Sequence, residues 1–518
     1  MAAESLDSSA GSLGAVTWLL LFGAMLCALA LHLAAPMFSY YGEPDSVALV
    51  SDALLWVRGG IRTNLISEYR YYTSPGYIWL ITRLLPDAAG DIRSVGTALN
   101  RINLAASIAI LIPVFLLGRR LAGEKAGLIA AALFSFVPAV FQGGLYGFPT
   151  LLAEFFLLWA IWGYDRWLTS PRAWGRDVWL LGLVCAGLTV TALLKADVYL
   201  GAVALWGLLI FRRRFTRANV ALLLVLGIIP VLVLYGIANS LLVQSASSVQ
   251  YAAEWDTKFP LEFRAPLNAT HCLQILKSMG VLTVPVFLIG MAWLAMRRRW
   301  GLVSLLVLWA AAPIAFWFFR AGDSARHHFA ASVPVVFGVA ILVAGLPWRD
   351  VTRAAAIGAL IAVNYFAFAP TPNTLTTSGR LIGSGRQLAT SVGTYDRVGH
   401  EYADLALPRQ VYVGSWHRIW YVRNEVLGRG DSITAYRATT RHGLPAIDVE
   451  YLRERLPLES IMVASNGKSP EILRAAANEY IRQGFRVFTS EFDSTLGHPV
   501  PVASYRLVEY RTPGSPLP

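Results

Sequence analysis

Through its first 370 residues the chain alternates long apolar runs with short charged intervals. Runs near 20 residues are long enough to cross the hydrocarbon core of a bilayer as helices. They fall near 16–36, 97–117, 126–145, 148–166, 178–197, 198–211, 219–242, 280–296, 301–319, 331–347 and 354–370, which predicts about 11 transmembrane helices. The continuous stretch 178–211 is divided at Leu194-Lys195-Ala196-Asp197, because two ionisable groups in mid-bilayer are costly. Met1–Ala15 carries Glu4 and Asp7 and no basic cluster, so the first run is expected to be a retained helix rather than a cleaved signal.

The charges give this pattern an orientation. Arg119, Arg120 and Lys125 follow the second run, and Arg166, Arg172 and Arg176 follow the fourth. Arg212, Arg213, Arg214 and Arg217 follow the sixth, Arg297, Arg298 and Arg299 the eighth, and Arg349 and Arg353 the tenth. Short loops rich in Lys and Arg stay on the cytoplasmic side. The N-terminus is therefore expected in the cytoplasm, with 37–96, 243–279 and everything after 371 outside the cell membrane. The five basic loops hold fifteen basic and four acidic residues, so +11 of the net +12 charge is a topology signal. That removes nucleic acid as an expected partner and leaves membrane lipids. Composition agrees, with 56% hydrophobic and 15% charged residues, where soluble domains carry about 25% charged. The three cysteines, Cys27, Cys185 and Cys272, form neither a disulfide framework nor a CxxC metal pattern.

Three outer segments carry candidate chemistry. In 37–96, Pro44-Asp45-Ser46 resembles a helix start. Val47, Leu49, Val50, Leu54, Leu55 and Val57 then form an apolar face, and Gly59-Gly60 ends it. A second amphipathic piece near 76–85 follows Ser74-Pro75-Gly76, so two helices are expected to lie on the membrane surface. Asp45 and Asp52, seven apart, share one face, near Glu43 and a cluster of Arg58, Arg62, Tyr69, Arg70, Tyr71 and Tyr72. Asp45 reads either as a helix cap or as an ionised group serving chemistry. The second segment is the outer end of the fifth run, where Lys195 and Asp197 are expected to face different directions. Lys195 is one of only five lysines. It either snorkels to water or holds a cation where a lipid phosphate arrives. The third is Arg320–Pro334, with Arg326, His327 and His328. Guanidinium matches phosphate bidentately, so Arg326 is either an anion ligand or an interfacial arginine. Adjacent histidines diverge on a helix, which makes them a poor metal pair. Glu154, inside the fourth run, either serves function or hydrogen-bonds a neighbouring helix.

After about 371 the apolar runs shorten to strand length. Gln410–Ser415, Ser460–Ala464, Phe485–Glu491 and Ala503–Arg511 read as strands, with Asp448–Leu456 and Pro470–Gln483 as helices. Strands alternating with helices predict a small α/β domain with a largely parallel sheet. The fold class expected is thus a polytopic α-helical membrane protein, 1–370, with a C-terminal extracytoplasmic α/β domain, 371–518. The stretch Trp416, His417, Arg418, Trp420, Tyr421 and Arg423 suits either docking on the membrane domain or contact with a sugar.

Several motifs together resemble the GT-C membrane glycosyltransferases, near the protein O-mannosyltransferases and the aminoarabinose transferases of lipid A. They are Gly42-Glu43-Pro44-Asp45, Ala53-Leu54-Leu55 with Gly59-Gly60, Tyr72-Thr73-Ser74-Pro75-Gly76-Tyr77, Asn100-Arg101, Leu117-Gly118-Arg119-Arg120-Leu121, Lys195, and Arg326 with Pro334. The chain departs in carrying Asp45-Ser46 where the O-mannosyltransferases have Asp-Glu. It also has Tyr146-Gly147-Phe148-Pro149 where many relatives place an Asp. The resemblance implies inverting transfer of a sugar from a polyprenyl-phosphate donor to a glycan, lipid or protein acceptor outside the cytoplasm. It assigns the general base to Asp45. A leaving phosphate gains charge as its bond breaks, and fixed cations stabilise that charge. Lys195, Arg326 and Arg58 are the expected donor-phosphate ligands, with Asp52, Tyr72, Glu43 and His327 as substrate contacts. No cofactor is expected. A divalent ion would be held only if Glu43, Asp45 and Asp52 converge, as in oligosaccharyltransferase relatives, which use one. Two rivals are a transporter and a catalytically inactive lipid- or glycan-binding scaffold. A transporter predicts inverted repeats with mid-membrane charges, whereas these charges sit at one face.

Overall fold

A computed structural model describes residues 15–34, 74–84, 92–137, 140, 149–170, 174–242, 272, 276, 279–319 and 329–366. Towards the C-terminus it describes 410–413, 434–436, 439–441, 444–446, 460–463, 478, 481, 482, 484, 486–490 and 507–510. The described residues fall into two compact units. One holds the described residues of 15–34, 74–77 and 99–366; the other holds the strands and residues 78–84 and 92–98.

Every predicted apolar run contains a helix. In chain order the α-helices are α1 (Ala15–Ala34), α2 (Pro75–Leu84, the amphipathic piece), α3 (Ile92–Ala109), α4 (Leu111–Ala122), α5 (Glu124–Ser135), α6 (Thr150–Thr169) and α7 (Trp174–Leu194). A 3-10 turn over Val198–Val203 leads to α8 (Ala204–Phe211), α9 (Arg217–Leu242), α10 (Thr283–Met296), α11 (Trp300–Phe319), α12 (Ser332–Gly345) and α13 (Asp350–Phe366). Among the described residues, Arg101–Ala122, Gly175–Leu194, Arg217–Ile237 and Trp300–Trp317 are long and apolar enough to cross a membrane. The first of these spans α3 and α4. Pro113 has no N–H for the Ala109 carbonyl, which accounts for the break between them. The other apolar helices, such as Thr283–Met296 and Phe329–Gly345, are shorter.

Side-chain size sets the packing. Without a hydrophobic drive between helices in lipid, small residues let backbones approach closely. A Cβ on Gly118 would lie 2.8 Å from Gly127 Cα, which brings α4 against α5 across the Gly123 turn. A Cβ on Gly290 would lie 2.9 Å from Gly338 O, which pairs α10 with α12. Residues 332–343 of α12 are buried all round, so this helix is the core of the bundle. On α9 the reverse holds: Leu224, Val225, Ile228, Leu232 and Tyr235 are exposed, as a lipid-facing surface requires.

Two of the arginine turns share one backbone device. In each, the helix closes with the paired hydrogen bonds of a Schellman motif. After α8, Arg213 N–H donates to Ile210 O (3.1 Å) and Arg214 N–H to Leu209 O (2.9 Å). After α10, Arg298 N–H donates to Ala295 O and Arg299 N–H to Leu294 O, both at 2.9 Å. The left-handed position usually held by glycine is Arg213 (φ 54°) in one turn and Arg298 (φ 56°) in the other. Left-handed backbone costs an L-residue about 1 kcal/mol. The chain carries arginine there nonetheless, which keeps three consecutive charges on each turn.

The same end of the bundle is tied by a buried ion cluster. Asp165, near the end of α6, is fully buried, while the Arg120 and Arg212 side chains are 19% and 20% exposed. Arg120 Nε donates to Asp165 Oδ2, and Arg212 Nε donates to Asp165 Oδ1 at 2.7 Å. Arg212 Nη2 also reaches Asp165 Oδ2 and Arg120 O, both at 3.2 Å. The arginines at the ends of α4 and α8 therefore join both helices to α6. Removing the shared partner of a buried charge group strands the rest. Asp165→Ala is expected to destabilise the purified protein by about 3 kcal/mol, read as a lowered thermal midpoint in detergent. An unchanged midpoint would mean the cluster contributes no stability.

In the second unit β1 (Gln410–Val413), β5 (Ser460–Val463), β6 (Arg486–Ser490) and β7 (Leu507–Tyr510) lie within the four stretches expected to be strands. With β2 (Thr434–Tyr436) they form a sheet of order β2-β1-β5-β6-β7. Its first four strands are parallel, and β7 pairs antiparallel to β6 at the edge. β3 (Thr439–Arg441) and β4 (Leu444–Ala446) pair separately as an antiparallel ladder. Of the expected helix 470–483, residues 478, 481 and 482 are described and helical.

Candidate functional site

The site is built on the end of α7 away from the arginine turns. Helix α7 spans 21 residues, about 30 Å at 1.5 Å per residue. Its last hydrogen bond runs from Lys195 N–H to Thr191 O (2.9 Å), and Lys195 O then accepts Val198 N–H (3.2 Å), which starts the 3-10 turn. The α-helix thus ends between Lys195 and Asp197. The expectation that these side chains diverge fails for that reason, since the rule for residues two apart holds only within a helix. Lys195 Nζ lies 3.5 Å from Asp197 Oδ1, and both side chains are 16% exposed. A pair this sheltered gains in Coulomb energy roughly what it loses in desolvation. Its structural effect is to hold the ammonium in place rather than to stabilise the fold.

Two other elements meet at this end. A Cβ on Gly76 would lie 2.9 Å from Leu193 Cβ and 3.1 Å from Leu193 O, so the Ser74-Pro75-Gly76 turn packs on the helix end beside Lys195. Only a residue without a side chain admits that approach. Ser74 and Tyr77 are buried, and Asn103 Nδ2 donates to the Tyr77 hydroxyl at 3.3 Å, joining α3 to the same region. Burial pushes the Tyr77 phenol above its ordinary pKa, with the Asn103 hydrogen bond opposing it. It stays a neutral partner at any working pH. One turn below Lys195, the Thr191 hydroxyl lies 2.8 Å from Gly187 O and 3.2 Å from Ala153 O, which fixes α7 against α6. The structure thus brings the Ser-Pro-Gly motif against Leu193, two residues before Lys195, although 117 residues separate Gly76 from Leu193.

Asp45, Glu43, Asp52, Arg58, Tyr72, Arg326 and His327 lie outside the described residues. Among the described residues no group of three or more His, Cys, Asp or Glu is gathered at one point. Glu154, next to Ala153, is fully buried, and its carboxyl oxygens make no hydrogen bond among the described residues. Sequence reasoning missed the Asp197 contact and the role of Asp165. Nothing local marks either one, because their geometry depends on where a helix stops and on partners 45 and 47 residues away.

The fold has known counterparts. The archaeal oligosaccharyltransferase AglB from Archaeoglobus fulgidus, in complex with an inhibitory peptide and a dolichol-phosphate, matches 92% of this chain and 69% of its own, with 14% identity and a TM-score of 0.55. ArnT from Cupriavidus metallidurans in the apo state matches over 93% of this chain and 94% of its own, with 12% identity and a TM-score of 0.54. The same protein bound to undecaprenyl phosphate gives 13% identity and a TM-score of 0.52. Identities this low speak for a shared fold alone. No protein-family model matches the sequence, and no curated protein matches it by sequence.

Proposed function

We propose that the chain is an inverting glycosyltransferase. It moves a sugar from a polyprenyl-phosphate donor to a glycan, lipid or protein acceptor on the extracytoplasmic face of the cell membrane. The observation that carries this reading is the Lys195–Asp197 pair, a cation held at the end of α7. It sits in a fold shared with a glycosyltransferase whose structure holds undecaprenyl phosphate. In this reading eleven helices span the membrane with the N-terminus in the cytoplasm. Residues 371–518 form an α/β domain outside, for which the parallel order of β2, β1, β5 and β6 is the support.

The chemistry is a single displacement. Asp45 takes the proton of the acceptor hydroxyl as its oxygen attacks the anomeric carbon. The bond from that carbon to the phosphate oxygen breaks, its electron pair leaves with the polyprenyl phosphate, and the anomeric centre inverts. Lys195, Arg326 and Arg58 meet the charge growing on the leaving phosphate. Asp52, Glu43, Tyr72 and His327 contact the substrates. Cations suffice for such a leaving group, so no metal is assigned. A divalent ion would need Glu43, Asp45 and Asp52 as its ligands.

Binding separates this from a plain apolar groove. Polyprenyl phosphate added to the purified protein is expected to raise its thermal midpoint, and polyprenol of the same length, lacking the phosphate, is expected to do much less. Equal shifts from both lipids would contradict a phosphate site.

A further inference from the structure

A cavity of about 380 Å³ opens at the other end of the bundle. It lies among the α4–α5 turn, the end of α10, the start of α11 and the end of α12, and Gly123, Glu124, Lys125, Trp293, Arg297 and Arg299 line it. We infer that this cavity binds the phosphate of an anionic molecule, in the first place the headgroup of an anionic phospholipid. This is a second site, independent of sugar transfer.

The charges around the cavity differ in whether they already have a partner. The Glu124 side chain accepts a hydrogen bond from the Thr17 hydroxyl on α1. Lys125 Nζ is 3.2 Å from Asp350 Oδ1, and Arg353 Nη1 reaches the same oxygen at 2.6 Å. The hydrogen bond from Lys125, then that from Arg353, keeps the Asp350 carboxyl below the ordinary carboxylate range, so this group stays ionised and engaged. Arg297 and Arg299 have no carboxylate partner among the described residues. The left-handed Arg298 between them reverses the chain, and both neighbours line the cavity. Arg297 lies over the Trp293 ring, 4.6 Å from its centroid, which orients the guanidinium while leaving its N–H edge to an acceptor. The indole in turn rests where a side chain on Gly345 would overlap it. The first turn of α5 also borders the cavity and has no side-chain cap, adding a helix start that favours negative charge.

The height in the membrane favours a lipid. Trp300, next after Arg299, and Trp348, three residues after Gly345 of the cavity wall, are exposed and of the type that settles at headgroup level. Basic pockets between helices at that level recognise phospholipid headgroups. A soluble phosphate compound offers the same chemistry, and the experiment separates the two.

The test uses the purified full-length chain. Phosphatidylglycerol, phosphatidylcholine and inorganic phosphate are titrated separately while the thermal midpoint is followed, in wild type and in a variant carrying Arg297→Gln and Arg299→Gln. Phosphatidylglycerol is expected to raise the wild-type midpoint where phosphatidylcholine does not. The variant is expected to bind it about 30-fold more weakly, the worth of two headgroup-facing charges. A matching response to inorganic phosphate alone, lost in the variant, would support the site and assign it to a soluble anion. If phosphatidylglycerol and phosphatidylcholine act alike and inorganic phosphate has no effect, or if the variant responds as wild type does, the proposal is overturned. Should the variant fail to fold, native mass spectrometry of the wild type decides: selective retention of phosphatidylglycerol over phosphatidylcholine supports the site, and equal retention refutes it.

Discussion

Asp45→Asn is expected to lower sugar transfer by about 10²–10⁴-fold, the usual worth of a positioned general base. Asparagine keeps the size and polarity of the side chain but has no lone pair basic enough to take the acceptor proton. The nucleophile would then have to attack as a neutral hydroxyl, with its proton left to solvent. Donor binding should change little, because the base works on the acceptor and not on the phosphate. The thermal midpoint should also hold, which separates loss of chemistry from loss of fold. Asp45→Glu is expected to restore part of the rate, since it retains a carboxylate at a shifted position. Transfer at the wild-type rate in Asp45→Asn would remove Asp45 as the base. A fall in midpoint equal to the fall in rate would return it to the role of a helix cap.

Lys195→Met comes second, with an expected loss of about 10²–10³ in transfer, comparable to removing one preorganised donor from a developing oxyanion. Methionine keeps much of the apolar length of lysine, so packing against the end of α7 should survive. It also leaves Asp197 half-sheltered without its cation partner. A residual carboxylate beside an arriving phosphate adds repulsion, which should weaken donor binding as well. The double change Lys195→Met with Asp197→Asn is therefore expected to recover donor affinity more than rate. A lysine that merely snorkels to water predicts a different result, with both changes near wild type in rate and affinity.

How much of this was legible beforehand depends on the kind of signal. The helices were legible because each apolar run carries its own length and its own charged ends. Gly76 and Lys195 were legible as separate motifs, but their contact through Leu193 was not, since it depends on how α2 and α7 meet. The Lys195–Asp197 pair was not legible, because helical periodicity says nothing of residues past Leu194, where α7 stops. The arginine turns were legible as charge but not as backbone structure. Glycine normally marks a left-handed helix end, and Arg213 and Arg298 hide it. Nothing in the sequence marks Asp165, and only the packing of α4, α6 and α8 shows it to be their shared anion. The acidic and aromatic residues around Asp45 lie outside the described residues, so their reading rests on sequence and chemistry.

The central claim is transfer of a sugar from a lipid phosphate, and a direct assay tests it. Membranes carrying the full chain would be incubated with radiolabelled polyprenyl-phosphate hexoses and pentoses, and the label followed into lipid-free or lipid-linked products. One donor is expected to be consumed, with label appearing in a new glycosidic bond of inverted configuration, and Asp45→Asn is expected to lower this by about 10²–10⁴-fold. Folded protein that leaves every donor intact, or that moves labelled lipid across the membrane without forming a glycosidic bond, would contradict it.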